Sequence, residues 1–489
     1  MKILYTASEV RSFAATGGLG DVAEGLPRAL NKKEGVECRV VMPMYSSIPD
    51  KLRVEMKEIV YFDVLLAGRT LSCGVFETEY QGVIYYFIDN EQYFTRDKLY
   101  GYSDDCERFT FFSLSIMEML THIGFMPDII NANDWQTALV PIYWQVFYAH
   151  NKIYSGIKTV FTIHNINFQE THNLNKLYDI FGLPPEVSNI IEYDGKINLL
   201  KGAIETSHAF TTVSPTYAEE IAGMYSDMAG YDFGKGLTPF IKERYSKLTG
   251  ILNGLDSSFD PAVDKDLYAN YGIFDFAEGK AKNKLELQKR LELEQKADVP
   301  LIAMVTRIDS QQKGCQHVIE IIKDLLDKND IQFVILGSAA ETDSEGKEME
   351  KEFEKLAKEN EGKMAAYIGY EPELAQKIYA GADIFLMPSR NEPCGLAQMN
   401  SLVYGTIPVV HKTGGLTDTV TDNKDGNGNG FTYKNYDSRE LKNATERALL
   451  AYKDSKGWEM LIKRAMKCDF SWENNSAEEY IKCYKTLLG

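Results

Sequence analysis

Arg307 and Lys313 stand together in the stretch Thr306–Gly314, directly after an apolar run, in a chain whose acids outnumber its bases 71 to 53. Two cations in such a field suit the holding of a diphosphate, Arg through its planar fork and Lys as a compact charge. A surface loop of solvated charges is the alternative. Pro388–Leu396 (PSRNEPCGL) follows another apolar run. Glu392 lies there beside Gly395 and Leu396, whose N–H groups open a helical stretch and can receive a phosphate. Cys394 has no matching His motif, so a packing role fits it better than that of a nucleophile. A further glycine turn follows at Lys412–Asp418, with Thr413 at its start.

The first half of the chain carries three more such stretches. Thr16–Val22 (TGGLGDV) follows the first apolar run and opens a helical pattern. Gly17 and Gly18 let backbone N–H groups approach a diphosphate, and Asp21 can cap the helix or accept a sugar hydroxyl. A plain strand–helix turn fits the same residues. Asp134 and Trp135 place a carboxylate beside an indole, a pairing suited to a pyranose. A buried Trp with a capping Asp is the competing reading. His164 ends a further apolar run and precedes Asn165, Asn167 and Gln169, whose amides can bond hydroxyls.

These residues need a frame that brings strand ends together. Apolar runs at Lys2–Ala7, Arg39–Met42, Val83–Ile88, Asp128–Ala132, Lys158–Ile163 and Ala209–Val213 alternate with helical patterns. A second series begins after Gly250–Asp256: Pro300–Val305, Ile331–Leu336, Met364–Ile368, Asp383–Met387 and Ile407–Val410. Such alternation predicts parallel sheets, and two series in 489 residues predict two α/β domains. Ligands of such sheets sit beyond the carboxyl ends of the strands, so a cleft between the domains is the expected site. The net charge of −18 argues against nucleic acid as a partner. No GxxxxGK[ST] string occurs, which excludes a P-loop ATPase. Seven cysteines without a CxxC pair suggest neither a zinc site nor a disulfide framework and suit reduced thiols in a cytoplasm. No apolar stretch is long enough to span a membrane, and the N-terminal run is too short for a signal peptide.

The order of these motifs resembles that of bacterial glycogen synthases and plant starch synthases. EPCGL followed at a distance by TGGL is the most specific part. Val213–Ala218, Gly250–Asp256 and the closing Phe470-Ser471-Trp472 extend the likeness over essentially the whole chain. The resemblance implies two Rossmann-like domains facing across a cleft (the GT-B arrangement), at residues 1–250 on the acceptor side and 251–470 on the donor side. Residues 471–489 would form a helix returning to the first domain. It implies retaining transfer of glucose from ADP-glucose to the non-reducing end of an α-1,4-glucan, with no metal or other cofactor. Glu392, His164, Arg307 and Lys313 would be catalytic. Gly17, Gly18, Asp21, Asn253, Cys394, Gly395, Leu396 and Thr413 would lie on the donor, and Asp134, Trp135 and Tyr217 on the acceptor or sugar.

Five features depart from the family pattern, one of them Gly337-Ser338-Ala339 where the family has Gly-x-Gly after a strand of the second sheet. Ala15 stands where KTGGL has Lys, and His411 where an Arg precedes TGGL. Arg307 and Lys313 are one residue further apart than usual, and Glu170 replaces a Gly. These departures keep open a catalytically weak paralogue that binds glucan or regulates a true synthase. A transferase using another sugar donor is the third reading.

Overall fold

The computed structural model describes residues 1–225, 228 and 230–489. The chain divides into two units. Met1–Met224, Asp232–Gly254 and Ser471–Gly489 form the first, and Leu255–Phe470, joined by Tyr231, the second.

The first unit is built on strands β1 (Lys2–Thr6), β2 (Glu37–Pro43), β3 (Lys57–Leu66), β4 (Arg69–Tyr80), β5 (Val83–Asp89), β6 (Ile129–Asn133) and β7 (Lys158–Ile163). Short strands β8 (Thr171–His172), β9 (Glu192–Tyr193) and β10 (Lys196–Asn198) form a separate small sheet; β11 (Ala209–Thr212) and β12 (Leu248–Gly250) return to the main one. Its order is β12-β11-β7-β6-β1-β2-β5-β4-β3. Pairing is parallel from β12 to β5, and β4 and β3 add an antiparallel edge. The central strands are buried on both faces, which is why they read as continuous apolar runs. The β3–β4 hairpin gives no such run over β3. Ile59, Tyr61 and Leu65 on β3 are exposed, so its residues alternate instead of forming an apolar block.

The helix Gly18–Asn31 follows β1. Val22, Ala23, Leu26, Ala29 and Leu30 recur at helical spacing and are buried. The last segment is held on this unit by Trp472. A Cβ at Gly25 would come within 2.3 Å of the indole Nε1, and one at Gly254 within 2.7 Å of the same ring. Both glycines are there for close approach. Ser476 donates to the Leu252 carbonyl, and Tyr484 in the helix Ala477–Leu488 donates to Asn131 Oδ1 at 2.7 Å.

The second unit carries β13 (Leu301–Val305), β14 (Gln332–Gly337), β15 (Met364–Ile368), β16 (Ile384–Met387), β17 (Ile407–His411) and β18 (Phe431–Tyr433). Their order is β15-β14-β13-β16-β17-β18, all parallel. The order reverses between β13 and β14 on one side and β16 on the other, and this switch point is where a doubly wound sheet binds its ligand. The loops beginning at Thr306 and Pro388 leave β13 and β16, the two strands at that point. All seven cysteines are free, and no described helix is long and apolar enough to cross a membrane.

Candidate functional site

On the first unit the ends of β1, β6 and β7 meet. Asn133, the last residue of β6, is fully buried. Its Oδ1 accepts from Tyr5 Oη (2.8 Å), and its Nδ2 donates to the Thr6 carbonyl (3.0 Å). This fixes the amide, so the 2.9 Å contact between Oδ1 and His164 Nε2 is a donation from Nε2–H. The ring is then neutral, with Nδ1 carrying a lone pair. Burial holds it so, pushing the His164 pKa down to about 3.

Asp134, expected on the sugar, is engaged within the fold. It is buried, with φ +54°, and its Oδ1 accepts from the His164 N–H at 2.7 Å. Burial pushes its carboxyl up to about 7, while the backbone N–H groups of His164 and Asn165 pull it down. Asp134 therefore ties the end of β6 to the loop that carries His164. Tyr217, expected on the sugar, is likewise inside the fold: its side chain is fully buried and its hydroxyl accepts from the Ile166 N–H at 3.1 Å. It holds the same loop. Trp135 is half-buried, edge-on to Phe109 at 5.1 Å, and retains an exposed part.

The glycine turn after β1 also differs in detail. Gly17 is extended and its N–H donates to Glu9 Oε2 at 3.0 Å, as does that of Thr16 at 2.6 Å. The Gly17 N–H is thus not free for a phosphate. Glu9, 4% exposed, holds the turn and was not recognised from the sequence, where it is a lone acid after a strand. Gly18 begins the helix, and a Cβ at Gly17 or Gly18 would meet nothing within 4 Å. Neither packing nor backbone strain requires glycine there; the space lies open to a ligand. Asp21 does not cap the helix. It forms a two-pronged ion pair with Arg11, at 2.6 Å to Nε and 2.7 Å to Nη2, and Arg11 also donates to the Gly17 carbonyl. Asn253 is buried with no partner for its Oδ1 among the described residues.

On the second unit Lys313 Nζ donates to Glu392 Oε2 at 2.7 Å, and Ser389 Oγ donates to the same oxygen at 2.9 Å. The side chains are 15% and 8% exposed. The longer loop therefore still delivers Lys313 to Glu392. Gly314, at φ +71°, ends it where a Cβ would strike the Pro388 carbonyl. Arg307 is 69% exposed, with Gln312 Oε1 at 3.3 Å and Asp309 at 3.5 Å.

EPCGL and TGGL, distant in sequence, lie backbone against backbone. The Gly415 N–H donates to the Glu392 carbonyl at 3.1 Å. A Cβ at Gly414 (φ +41°) would stand 2.0 Å from that carbonyl, and one at Gly415 2.1 Å from the Cys394 carbonyl. Thr413 and Cys394 are buried in this contact. Gly395 takes φ +75° directly before Leu396, which leads into the helix Ala397–Val403. His411 is also interior. Its two ring nitrogens face the Ser389 carbonyl at 2.9 Å and the Lys434 carbonyl at 3.1 Å, so it braces the loop leading to Glu392.

Two doubly wound units, one with a cation–carboxylate cluster at its switch point and the other with a histidine on a strand end, define a glycosyltransferase of the two-domain GT-B class. A family profile described as the starch synthase catalytic domain matches residues 2–243, and one described as glycosyl transferases group 1 matches residues 287–466. The glycogen synthase of Clostridioides difficile (strain 630) is 42% identical over 100% of both chains, and that of Bacillus anthracis 43% over 100% of both. The solved catalytic domain of starch synthase IV from Arabidopsis thaliana, bound to ADP and acarbose, superposes with TM-score 0.88 at 33% identity, covering 99% of each chain. Sucrose-phosphate synthase from Thermosynechococcus elongatus shares the fold at TM-score 0.60 and 17% identity, covering 99% of this chain and 98% of that one. The chain belongs to the glycogen and starch synthase family, whose work is the transfer of glucose to a glucan.

Proposed function

We propose that the chain transfers glucose from ADP-glucose, with retention, to the non-reducing end of an α-1,4-glucan, in the cytoplasm and without a metal in the reaction. The ion pair of Lys313 with Glu392 carries this reading. As the bond to the donor's anomeric carbon stretches, negative charge grows on the departing diphosphate and positive charge on the sugar. A lysine with two N–H groups left over and the exposed Arg307 meet the first; the Glu392 carboxylate meets the second. Such preorganised donors act most strongly where charge develops. His164, neutral with an open Nδ1, accepts a sugar hydroxyl. Trp135 offers an apolar ring to the glucan. The open space at Gly17 and Gly18 admits the donor's phosphates. The ADP complex of the 33% identical starch synthase supports adenine as the base.

Ala15 favours the second reading, a weakened paralogue, because it removes a cation from the glycine turn. Arg11 answers it: its guanidinium lies on the same turn, on the Gly17 carbonyl and Asp21, and is 40% exposed. We assign to Arg11 the charge that Ala15 lacks. Purified protein incubated with ADP-glucose and a maltooligosaccharide should lengthen the glucan. Lengthening with UDP-glucose alone would move the reading to another donor. Glucan binding without either reaction would establish the paralogue.

A further inference from the structure

Away from the residues assigned to transfer, Cys106, Glu170 and His172 converge, with one ligand atom from each within 4.8 Å of the others. They come from three places on the first unit. Cys106 is buried in the first turn of the helix Asp105–Met119. Glu170 follows the His164 loop, and His172 lies on β8. Spacing in the sequence gave no hint of them.

We propose that this cluster is a binding site for a zinc-type divalent cation. Thiolate, imidazole and carboxylate are the ligands such ions take, at about 2.0–2.3 Å, which sets ligand atoms roughly 3.3–3.8 Å apart in a tetrahedron. The ligand atoms lie within 4.8 Å of one another, so binding requires small side-chain adjustments about that spacing. His172 Nε2 and Glu170 Oε1 stand 2.6 Å apart in a hydrogen bond, which the ion would replace. Their side chains are 16% and 23% exposed, so the site is within reach of solvent.

Two further features favour use over accident. Glu170 takes φ +52°, a conformation that disfavours any residue but glycine by about 1 kcal/mol or more. The backbone around it is pinned: the Leu199 N–H donates to the Glu170 carbonyl and the Leu200 N–H to the Gln169 carbonyl, while the Gln169 side chain accepts from Asn198 Nδ2 and donates to the Lys235 carbonyl. The carboxylate is thus presented from a fixed, strained backbone, as a preorganised ligand is.

Without the ion, Lys176 competes for the site. Its Nζ lies 3.2 Å from His172 Nδ1, so Nδ1 accepts from the ammonium while Nε2–H donates to Glu170. When the ion binds, the Cys106 thiol releases its proton to solvent as the sulfur–metal bond forms. One imidazole nitrogen turns its lone pair to the metal, and the Lys176 ammonium withdraws. Three protein ligands leave a fourth position for water.

The test uses the full chain, stripped by a chelator and titrated with zinc in a calorimeter, and separately with cobalt(II) followed by absorption. The expected result is one zinc per chain and a thiolate-to-cobalt charge-transfer band. C106S, E170Q and H172Q should each weaken binding at least about 100-fold, since groups that merely hydrogen-bond a metal ligand are already worth about 10–100-fold. Lys176→Gln should tighten it. A cobalt spectrum of the wild-type chain without the thiolate band overturns the proposal, whatever the variants do. So does zinc uptake that is unchanged in all three ligand variants.

Discussion

Replacing Lys313 by Met tests stability and chemistry at once. Lys313 Nζ is 2.7 Å from Glu392 Oε2, with both side chains nearly buried, and the other bond to that oxygen is from the Ser389 hydroxyl. Removing one partner of a buried pair leaves an uncompensated charge and costs about 3–5 kcal/mol. The donor loses a charged hydrogen bond worth about 1.5–3 kcal/mol, a factor of about 10–150 in kcat/KM. Denaturant unfolding and steady-state glucan elongation measure the two separately. The second change E392Q, made in the K313M background, removes the stranded charge and should recover most of the stability while activity stays low. Arginine in place of Lys313 should not restore the rate, because its fork does not fit a site shaped for a point charge. If K313M is as stable as the parent, or if the double variant is no more stable than K313M, the pair does not have the energetic role given to it.

Further outcomes follow from the same contacts. Asp134 holds its proton more tightly folded, at about 7, than unfolded, so its ionisation lowers stability as pH rises from about 4 to about 7. The parent should therefore lose stability relative to D134N across that window, by at most on the order of 4 kcal/mol, in unfolding curves at pH 4.5 and pH 8; a constant difference would contradict the assignment. His164 works in the opposite direction below pH about 6.5, but it is common to both proteins and drops out of the difference. Trp472→Ala should cost about 3–5 kcal/mol in unfolding, because the indole fills the space left by Gly25 and Gly254. Gly18→Ala should leave the melting temperature nearly unchanged yet raise KM for the donor, since the added Cβ meets nothing within 4 Å. Arg11→Ala should weaken the donor about tenfold or more without unfolding the chain.

The parallel strands were legible because both their faces are buried, which leaves unbroken apolar runs. The hairpin Lys57–Tyr80 was not, because its outer face is wet and Ile59, Tyr61 and Leu65 break the contrast that periodicity relies on. The site strings stand out because four of them begin at or directly after the ends of β6, β7, β13 and β16, and the fifth lies between β1 and its helix, where such sheets put their chemistry. What each side chain does there was harder to read. Nothing in the sequence shows that the Asp134 carboxylate takes the His164 N–H, or that the His411 ring lies between two carbonyls. Asn133 and Glu9 set the geometry of His164 and of the glycine turn, yet a single amide and a single acid give no pattern in a sequence. Gly414 and Gly415 read as a glycine turn; their reason is the approach of Glu392 and Cys394, some twenty positions earlier.

The claim on which the rest depends is that the loops after β13 and β16 hold the diphosphate of the donor. Calorimetric titration of ADP into the parent chain and into R307A tests it without turnover. Arg307 is exposed and, among the described residues, its side chain makes long contacts to Gln312 and Asp309, so its removal should not disturb the fold. ADP binding should weaken by about 10–150-fold in R307A. Equal affinity in the two proteins would contradict it.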